Sequence, residues 1–355
     1  MSPSLLSLLF AMGRPLSPIY TAAMTAREAL YRRGLLPVRR LPCPVVSVGN
    51  LSLGGTGKTP LVIALAEWYQ SQKTAPAVLT RGYGGSVGKG PFVVTDGDRL
   101  YASPREAGDE AVMMAETLKG IPVIAGSCRS ASGLLAVERF GAQVLILDDG
   151  FQHMSLARSV DLVLLPARDP FLGGRVFPGG PLREPVSALR RASALVLTKA
   201  EDPTQTERAR KTVHAAFPSI PVFSSETAPS ALVSLAGEIH PLSHLSGLRI
   251  LAFTGLADPI PFYRDLERLG ADILERRSFS DHHPYTEADM EWLRTKAHVT
   301  GAQALVTTAK DRVKILLIEK PSGSAPPILI LKVKSLPEQG LFAFLARRQG
   351  MAPLR

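Results

Sequence analysis

Short apolar runs alternate along this chain with segments whose apolar residues recur at helical spacing. Such runs occur at 77–80, 121–125, 144–147, 161–165, 194–198, 249–254, 304–307 and 328–331. Each run predicts a buried β-strand. One helix face between them is marked by Leu61, Val62, Leu65, Trp68 and Tyr69. Because strands alternate with helices, we predict an α/β fold with a mostly parallel sheet and helices on both faces.

Length and composition favour two domains. At 355 residues with 45% hydrophobic content, the chain exceeds what one core of ordinary size uses. The apolar pattern weakens into polar, proline-containing sequence between residues 201 and 245, and we place the domain connection there. The predicted units are an N-terminal helical segment at 1–40, a larger domain at 41–235 and a smaller α/β domain at 236–355. A loop predicted at 321–327 precedes the last strand.

A glycine-rich loop follows the first strand. The sequence PVVSVGNLSLGGTGKT occupies residues 44–59, and a helix is predicted directly after it. Gly54, Gly55 and Gly57 can adopt backbone angles closed to other residues, so successive N–H groups can surround an anion at a helix N-terminus. Lys58 would reach the β- and γ-phosphates, and Thr59 would offer its hydroxyl to Mg²⁺. The larger domain is therefore predicted to be a P-loop-type nucleotide-binding domain.

The loop departs from the usual phosphate-loop pattern at one position. The pattern G-x-x-x-x-G-K-[ST] requires glycine where this chain has Ser52. A strand before the loop, a helix after it and three glycines within it compensate for that departure. The alternative is a glycine-rich turn that binds no ligand.

Two adjacent acids end the strand predicted at 144–147. Asp148 and Asp149 would bring carboxylates to Mg²⁺ beside the phosphates, although two acids at a strand end can also form an ordinary turn. Gln152 and His153 follow closely. They would lie at the carboxyl edge of the sheet, where open α/β folds bind ligands.

The segment FLGGRVFPGGPLREP, at 171–185, is too rich in glycine and proline for regular structure. Long irregular loops in compact domains are often functional. Within it, Arg183 can stabilise the charge of a transferring phosphoryl group, and Glu184 can help to hold a metal. The alternative is an exposed ion pair at a turn.

Two further polar clusters follow in the smaller domain. Ser280 to His283 combine an acid with two imidazoles, without the additional spaced ligands that a zinc site requires. A histidine oriented by a carboxylate and able to deprotonate a hydroxyl nucleophile is the more natural interpretation. Residues 307–311 end a strand with polar groups, and Lys310 and Asp311 could contact nucleotide. The same segment could instead cap a helix through Thr308.

The net charge of +10 is concentrated near the N-terminus, where residues 1–40 contain six arginines and one acid, Glu28. The apolar run at 5–12 is far shorter than the roughly 20 residues that span a bilayer. A helix is predicted from Ser17 to Gly34. We favour an interfacial anchor on an anionic membrane, and the alternative is a helix packed on its own domain. Nucleic acid binding lacks a supporting motif.

Two distant cysteines, Cys43 and Cys128, are consistent with a reducing compartment.

Taken together, these segments resemble the tetraacyldisaccharide 4′-kinase family of lipid A biosynthesis. The resemblance covers most of the chain, and its specificity lies in the order and spacing of the motifs. The matching segments are GNLSLGGTGKTP, the turn at 81–84, the Gly-Asp-Glu at 108–110, DDGFQH, GPLREP, FSDHH and residues 307–311.

The resemblance implies roles that the residue pattern alone does not assign. It pairs Asp109 with His282 to activate a sugar hydroxyl, in different domains that closure would bring together. It places Asp148, Asp149 and Glu184 around Mg²⁺. Nucleotide contacts are implied for Gly54, Gly55, Thr56, Gly57, Lys58, Thr59, Gln152, His153, Lys310 and Asp311. Contacts with the acceptor are implied for Asn50, Arg81 and Arg129, and Arg183 lines the same cleft.

The resemblance also implies a substrate and a location. ATP with Mg²⁺ would phosphorylate the 4′-hydroxyl of the lipid A disaccharide precursor, giving lipid IVA, and the enzyme would be a monomer at the cytoplasmic face of the bacterial inner membrane. One departure is visible, because Leu172-Gly173-Gly174 stands where relatives have a Gly-Asn-Gly turn before Arg175. The shape of that loop is therefore open.

Two other classes of P-loop protein provide alternatives. Switch ATPases that position or deliver a partner have a second lysine just before the double glycine, where this chain has Leu53. A GTPase would account for the segment 198–201, Thr-Lys-Ala-Glu, which resembles a guanine-reading motif. In that motif an aspartate is expected where this chain has Glu201. Both differences favour the kinase.

Overall fold

Thirteen strands form one mixed sheet in the computed structural model, which describes residues 3–86, 88, 90–319 and 326–350. The strands are β1 (Val45–Asn50), β2 (Pro76–Thr80), β3 (Phe92–Thr95), β4 (Val123–Ala125), β5 (Val144–Asp148), β6 (Val160–Pro166), β7 (Ala194–Thr198), β8 (Val222–Ser234), β9 (Ile239–His240), β10 (Arg249–Thr254), β11 (Asp272–Ser278), β12 (Ala304–Thr308) and β13 (Ile328–Pro337). Most of the loop predicted at 321–327 lies outside the described residues.

Eleven α-helices accompany the strands in the described part of the chain. They are α1 (Pro3–Gly13), α2 (Ser17–Arg32), α3 (Lys58–Ser71), α4 (Pro104–Ala107), α5 (Asp109–Thr117), α6 (Arg129–Phe140), α7 (Pro203–Ala216), α8 (Ile260–Arg268), α9 (Glu287–Thr300), α10 (Ala309–Ile315) and α11 (Gln339–Arg348). The segment 171–185 is largely irregular, as predicted, with one short 3₁₀ turn at Leu172–Gly174.

The sheet contains two parallel sets of strands joined by an antiparallel pair. Along the sheet the order is β11-β10-β12-β13-β8-β7-β6-β1-β5-β2-β4-β3, with β9 paired to β8. Neighbours are parallel except at β13–β8, at the edge pair β3–β4 and at β8–β9. The start of β8 pairs in parallel with β7, while the rest of β8 runs antiparallel to β13. Strand β8 therefore links the two sets.

Helices cover both faces of the sheet because successive strand residues point to opposite sides. On β6, Leu164 packs in the same apolar core as Leu65 of α3, whereas its neighbour Val163 packs with Val213 of α7. In the second set, Leu251 of β10 joins a core with α9, and Ile250 joins another core with α8. The predicted α/β fold with a mostly parallel, two-sided sheet is confirmed.

The region 201–245 is more regular than its sequence indicated. It contains α7, capped by Asp202, whose side chain accepts from the backbone N–H groups of Thr204 and Gln205 at 2.9 and 3.1 Å, and it contains the long strand β8. Most of β8 is only partly buried, so no clean alternation marks it. Regular elements therefore occupy most of the region in which we placed the domain connection.

The C-terminal helix returns to the first parallel set. Phe342 of α11 stacks on Trp68 of α3 with ring centroids 5.2 Å apart, and Leu341 and Leu345 join the core around α3. The last helix of the described residues thus returns from the second set to the first. The division at residue 235 stays a prediction.

Helix α2 packs on the irregular segment 171–185. Ser17 Oγ donates to the carbonyl of Val176 at 2.9 Å and accepts from the N–H of Gly179 at 2.8 Å. Glu28 forms an ion pair with Arg191 at 2.8 Å. The outer side of this region exposes apolar side chains, among them Leu8, Leu9, Met12, Leu16 and Ile19. No helix in the described residues is long and apolar enough to cross a bilayer.

Candidate active site

The phosphate loop connects β1 to α3, which begins at Lys58. Gly57 has φ of 80°, a left-handed conformation that favours glycine. Gly54 and Gly55 do not have a positive φ. A side chain at either of these two would meet nothing within 4 Å. The required turn is concentrated at Gly57, where the chain enters the helix.

Asn50 holds the phosphate loop together from inside. Its Nδ2 group donates to Ser52 Oγ at 3.0 Å and to Thr56 Oγ1 at 2.9 Å, and its Oδ1 accepts from Lys58 Nζ at 3.2 Å. Gln152 Nε2 donates to the Asn50 carbonyl at 3.0 Å. Asn50 is fully buried. The resemblance implied a contact with the acceptor, whereas every side-chain hydrogen bond of Asn50 in the described structure lies within the loop.

Lys58 and Arg183 both contact the carboxylate of Asp149. Lys58 Nζ lies 3.3 Å from Oδ1, and Arg183 Nη1 donates to Oδ2 at 2.7 Å. Burial alone would raise the pKa of Asp149, but the two cations outweigh burial and hold it below its ordinary value. Asp149 also has φ of 53°, and non-glycine residues with such angles concentrate at functional sites. The lysine of the loop and the arginine of segment 171–185 therefore meet at the end of β5.

The neighbouring Asp148 has the opposite environment. It is 3% exposed, and Thr80 Oγ1 donates to its Oδ2 at 3.1 Å. Its other oxygen, Oδ1, is buried and accepts no hydrogen bond from the described residues. Burial, followed by repulsion from Glu110, raises the pKa of Asp148 to about 6. An oxygen of this kind is suited to a cation.

Glu184, the third carboxylate predicted to bind the metal, is held in an ion pair. Its Oε2 accepts from Arg191 Nη2 at 2.8 Å, and the same guanidinium contacts Glu28 of α2. Glu184 is 2% exposed, and its Oε1 is buried without a hydrogen bond from the described chain. Arg191 thus links the candidate metal ligand to the N-terminal helix.

The donors present fit Mg²⁺ bound together with a nucleotide. Among the described residues, no three His, Cys, Asp or Glu side chains are grouped closely enough to hold a metal by themselves. In nucleotide sites Mg²⁺ is usually bound through one or two carboxylates, substrate phosphates and water. Asp148 Oδ1 and the hydroxyl of the largely buried Thr59 are donors of that kind. Protein carboxylates alone would not complete the site.

A second group forms where α5 begins. Gly108 has φ of 86°, and a side chain there would clash with the Tyr83 carbonyl oxygen. Glycine is therefore required for Asp109 to open the helix at this place. His282, which follows β11, also has a left-handed backbone with φ of 57°, and its Nδ1 lies 3.1 Å from Asp109 Oδ2. The two residues are already in contact without further domain movement.

The contacts of His282 indicate which group can accept a proton. A carboxylate only accepts hydrogen bonds, so His282 Nδ1–H donates to Asp109. Its other nitrogen, Nε2, then accepts from Lys310 Nζ, 3.1 Å away, and Lys310 also contacts Asp281 at 3.0 Å. Asp109 Oδ1 accepts none of the hydrogen bonds found among the described residues. Its lone pairs are thus the ones left for a substrate hydroxyl.

Comparison with known proteins assigns this chain to a family. A sequence model described as tetraacyldisaccharide-1-P 4′-kinase matches residues 9–349. The tetraacyldisaccharide 4′-kinase of Syntrophus aciditrophicus is 44% identical over 314 residues, which cover 86% of this chain and 84% of that protein. That of Desulfotalea psychrophila is 42% identical over 325 residues, covering 90% and 92%. The chain belongs to the tetraacyldisaccharide-1-P 4′-kinase family.

A solved member of this kinase family shares the fold. The crystal structure of LpxK from Aquifex aeolicus in complex with ATP matches with a TM-score of 0.74 and 32% sequence identity. The match covers 94% of this chain and 98% of that one. The predicted P-loop kinase fold is therefore confirmed.

Several residues that the family resemblance placed in the cleft contact other parts of the protein. Arg129 is buried and donates to the carbonyls of Gly126 and Asp148, and burial lowers its pKa to about 10. His153 lies 3.3 Å from Ser155 Oγ, and burial, followed by nearby arginine charges, lowers its pKa to about 4. Arg81 is exposed. Its role in this kinase stays a prediction.

Lys310 and Asp311, which we predicted to contact nucleotide, make different contacts in the structure. Lys310 lies against His282, as described above. Asp311 is fully buried and accepts from Thr254 Oγ1 at 2.8 Å and Thr308 Oγ1 at 2.7 Å. Thr308 caps α10, which is the alternative that its sequence left open. Thr80 was not among the predicted site residues, although a polar residue that ends a buried strand is a usable sign.

Proposed function

We propose that this chain transfers the γ-phosphoryl group of ATP to the 4′-hydroxyl of a tetraacyldisaccharide 1-phosphate, forming lipid IVA. The 4′-oxygen forms a bond to the γ-phosphorus while the bond to the bridging oxygen of ADP breaks, and the hydroxyl proton passes to the protein. The observation that carries this proposal is the contact between Asp109 and His282 in a chain that also has a lysine-containing phosphate loop. A switch ATPase has no need of such a pair.

The phosphate loop supplies the nucleotide side of the reaction. Backbone N–H groups at the start of α3 and the ammonium of Lys58 attract the triphosphate. Arg183 stabilises charge on the transferring group. Asn50 fixes the loop and the lysine, so these groups need little rearrangement when ATP binds. Asp148 and Thr59 would hold Mg²⁺ together with ATP, and the cation would neutralise phosphate charge. Glu184 and Asp149 would support that binding.

The dyad supplies the acceptor side. Asp109 accepts the proton at Oδ1, while His282 holds Oδ2 and stabilises the carboxylate orientation. Burial would raise the pKa of Asp109, but the hydrogen bond from His282 and the charges of Lys314 and Lys310 keep it below its ordinary value. Asp109 is thus ionised near neutral pH and able to accept a proton as the phosphoryl group transfers.

The N-terminal region would bring the enzyme to its lipid substrate. The exposed apolar side chains of α1 and α2 lie beside exposed arginines, among them Arg14, Arg32 and Arg33. Apolar side chains enter the acyl boundary, and arginines attract anionic headgroups. We propose peripheral association with the cytoplasmic face of the bacterial inner membrane. There the enzyme would act as a monomer on the lipid A disaccharide precursor.

We further propose that the two parallel strand sets correspond to the units at 41–235 and 236–355. The phosphate loop and Asp109 belong to the first unit, and His282 belongs to the second. The acceptor would then bind between them, with α11 tying the chain end back to the first unit.

His282→Ala tests the chemistry of the dyad. We expect kcat to fall about 100-fold or more, the range for loss of a general-base system, with little change in ATP affinity. His283→Ala is the matched control, because His283 Nε2 contacts Asp289 at 3.0 Å and lies outside the proposed reaction. Unchanged turnover of the His282 variant would remove the dyad from the mechanism.

A further inference from the structure

Lys314 is a buried lysine that neither contacts nucleotide nor exchanges a proton in the proposed chemistry. It lies on α10 with its side chain 7% exposed, and its Nζ is 3.7 Å from Asp109 Oδ2 and 3.6 Å from Asp311 Oδ1. The ammonium also lies 5.4 Å from the ring centroid of Tyr285. It makes no hydrogen bond among the described residues. Burying a charge in this way is costly unless a partner compensates.

Of the two carboxylates near Lys314, Asp109 accepts fewer hydrogen bonds, so its ionised form depends more on this charge. Asp311 already accepts hydrogen bonds from Thr254, Thr308 and the backbone N–H of Gly255. Asp109, by contrast, accepts one hydrogen bond among the described residues, from His282. An ammonium within 4 Å favours the ionised form of a carboxylate.

The surrounding packing fixes Lys314 in place. The next residue before it, Val313, joins the same apolar core as Val112 and Ala115 of α5. Arg312 pairs with Glu116, also on α5. Helix α10 is therefore held against the helix that begins with Asp109.

We propose that Lys314 is a positioning residue that keeps Asp109 ionised and directs Oδ1 toward the acceptor hydroxyl. This inference rests on the proposed function, because it requires Asp109 to be the proton acceptor. His282 engages the Oδ2 side of the carboxylate, and Lys314 supplies a fixed charge on the same side. The oxygen without a donor is then the one that meets substrate.

Several charged groups act on Asp109 together. His282 faces it from the segment after β11, and Lys310 and Lys314 face it from α10. Asp281 pairs with Lys310, and Asp311 lies beside Lys314. Removal of Lys314 leaves the other groups in place, so its own contribution can be measured.

The experiment compares Lys314→Met, Lys314→Gln and Lys314→Arg by the pH profile of kcat/KM in the full-length enzyme. Methionine and glutamine remove the charge and arginine retains it. We expect the acidic limb to move up by about one pH unit in the two neutral variants, as loss of a nearby opposite charge predicts. In the arginine variant the limb should stay at its wild-type position.

Arg312→Met is the matched control, because it removes a charge pair between the same two helices without touching Asp109. Its acidic limb should coincide with that of the wild type. If the methionine variant does not fold, as judged by thermal unfolding, the glutamine and arginine variants make the same comparison. Superimposed limbs for the neutral and charged variants would overturn the proposal. A wild-type enzyme that does not phosphorylate the lipid would instead overturn the proposed function.

Discussion

Neutralising Asp148 should stabilise the metal-free protein while it disables the enzyme. Burial raises the pKa of this carboxyl from 3.8 to about 6, so its ionised form destabilises the folded state. The difference corresponds to about 3 kcal/mol at about 1.4 kcal/mol per pH unit. An asparagine keeps the acceptor for Thr80 but buries an amide with no known partner, which costs about 1 kcal/mol. Asp148→Asn should therefore gain about 2 kcal/mol.

The pH dependence of this gain follows from the direction of the shift. The pKa of Asp148 is higher in the folded protein than in the unfolded chain. Below pH 4 the carboxyl is therefore protonated in both states, and the destabilisation by its ionised form develops as the pH rises toward 6. Below pH 4 only the cost of the buried amide remains, so Asp148→Asn should be about 1 kcal/mol less stable than the wild type there, and its gain of about 2 kcal/mol should be complete above about pH 6. Urea unfolding in EDTA across this range measures it.

Asp149→Asn is the control, and it should have the opposite sign. The pKa of Asp149 lies below its ordinary value, because Lys58 and Arg183 compensate its charge. The variant should lose about 1 kcal/mol, the scale of a partly exposed pair. Adding Mg²⁺ and ATP should stabilise the wild type more than Asp148→Asn. Loss of stability in Asp148→Asn at pH 8 in EDTA would refute the reasoning.

Three further variants test other parts of the structure. Asn50→Ala leaves buried loop groups unpaired, so ATP affinity in calorimetry should fall at least about tenfold, with about 2 kcal/mol lost in stability; unchanged affinity would contradict the loop-holding role. Ser17→Ala should increase proteolysis within 171–185 without changing ATP affinity, and an unchanged cleavage rate would contradict the docking of α2. Arg32→Gln with Arg33→Gln should cost about 2 kcal/mol of binding to anionic vesicles, at about 1 kcal/mol per residue. Flotation of this pair equal to that of wild type would contradict the membrane proposal.

The sequence predicted most of the parallel strands because their apolar runs are buried on both faces, but it missed the parallel edge strand β11, which has no fully buried residue. The strands β5 and β7, for example, are buried along their whole length, so nothing polar interrupts the pattern. It did not predict β8, which is long but mostly half-buried, or α7, whose apolar face is narrow. Strand order and the return of α11 to α3 depend on long-range packing, which local periodicity does not encode.

The candidate site likewise contains features that the sequence predicts and features that arise only from packing. Residues 54–59 indicate a phosphate loop because phosphate and Mg²⁺ binding requires glycines, a lysine and a hydroxyl in a fixed order. Asn50 was expected to meet substrate, yet it is buried inside the loop, since its sequence position does not reveal where its amide points. Lys314 gave no signal, because a single lysine in a helix is normally solvated. Its burial arises only when α10 packs on α5.

The most direct test of the central claim is to follow the γ-phosphate itself. Purified protein is incubated with γ-labelled ATP, Mg²⁺ and a tetraacyldisaccharide 1-phosphate, and the lipid is separated from inorganic phosphate. We predict label in the lipid at the 4′-position, and its loss in Asp109→Asn. Label found only in inorganic phosphate would contradict the account and indicate a nucleotide-dependent switch.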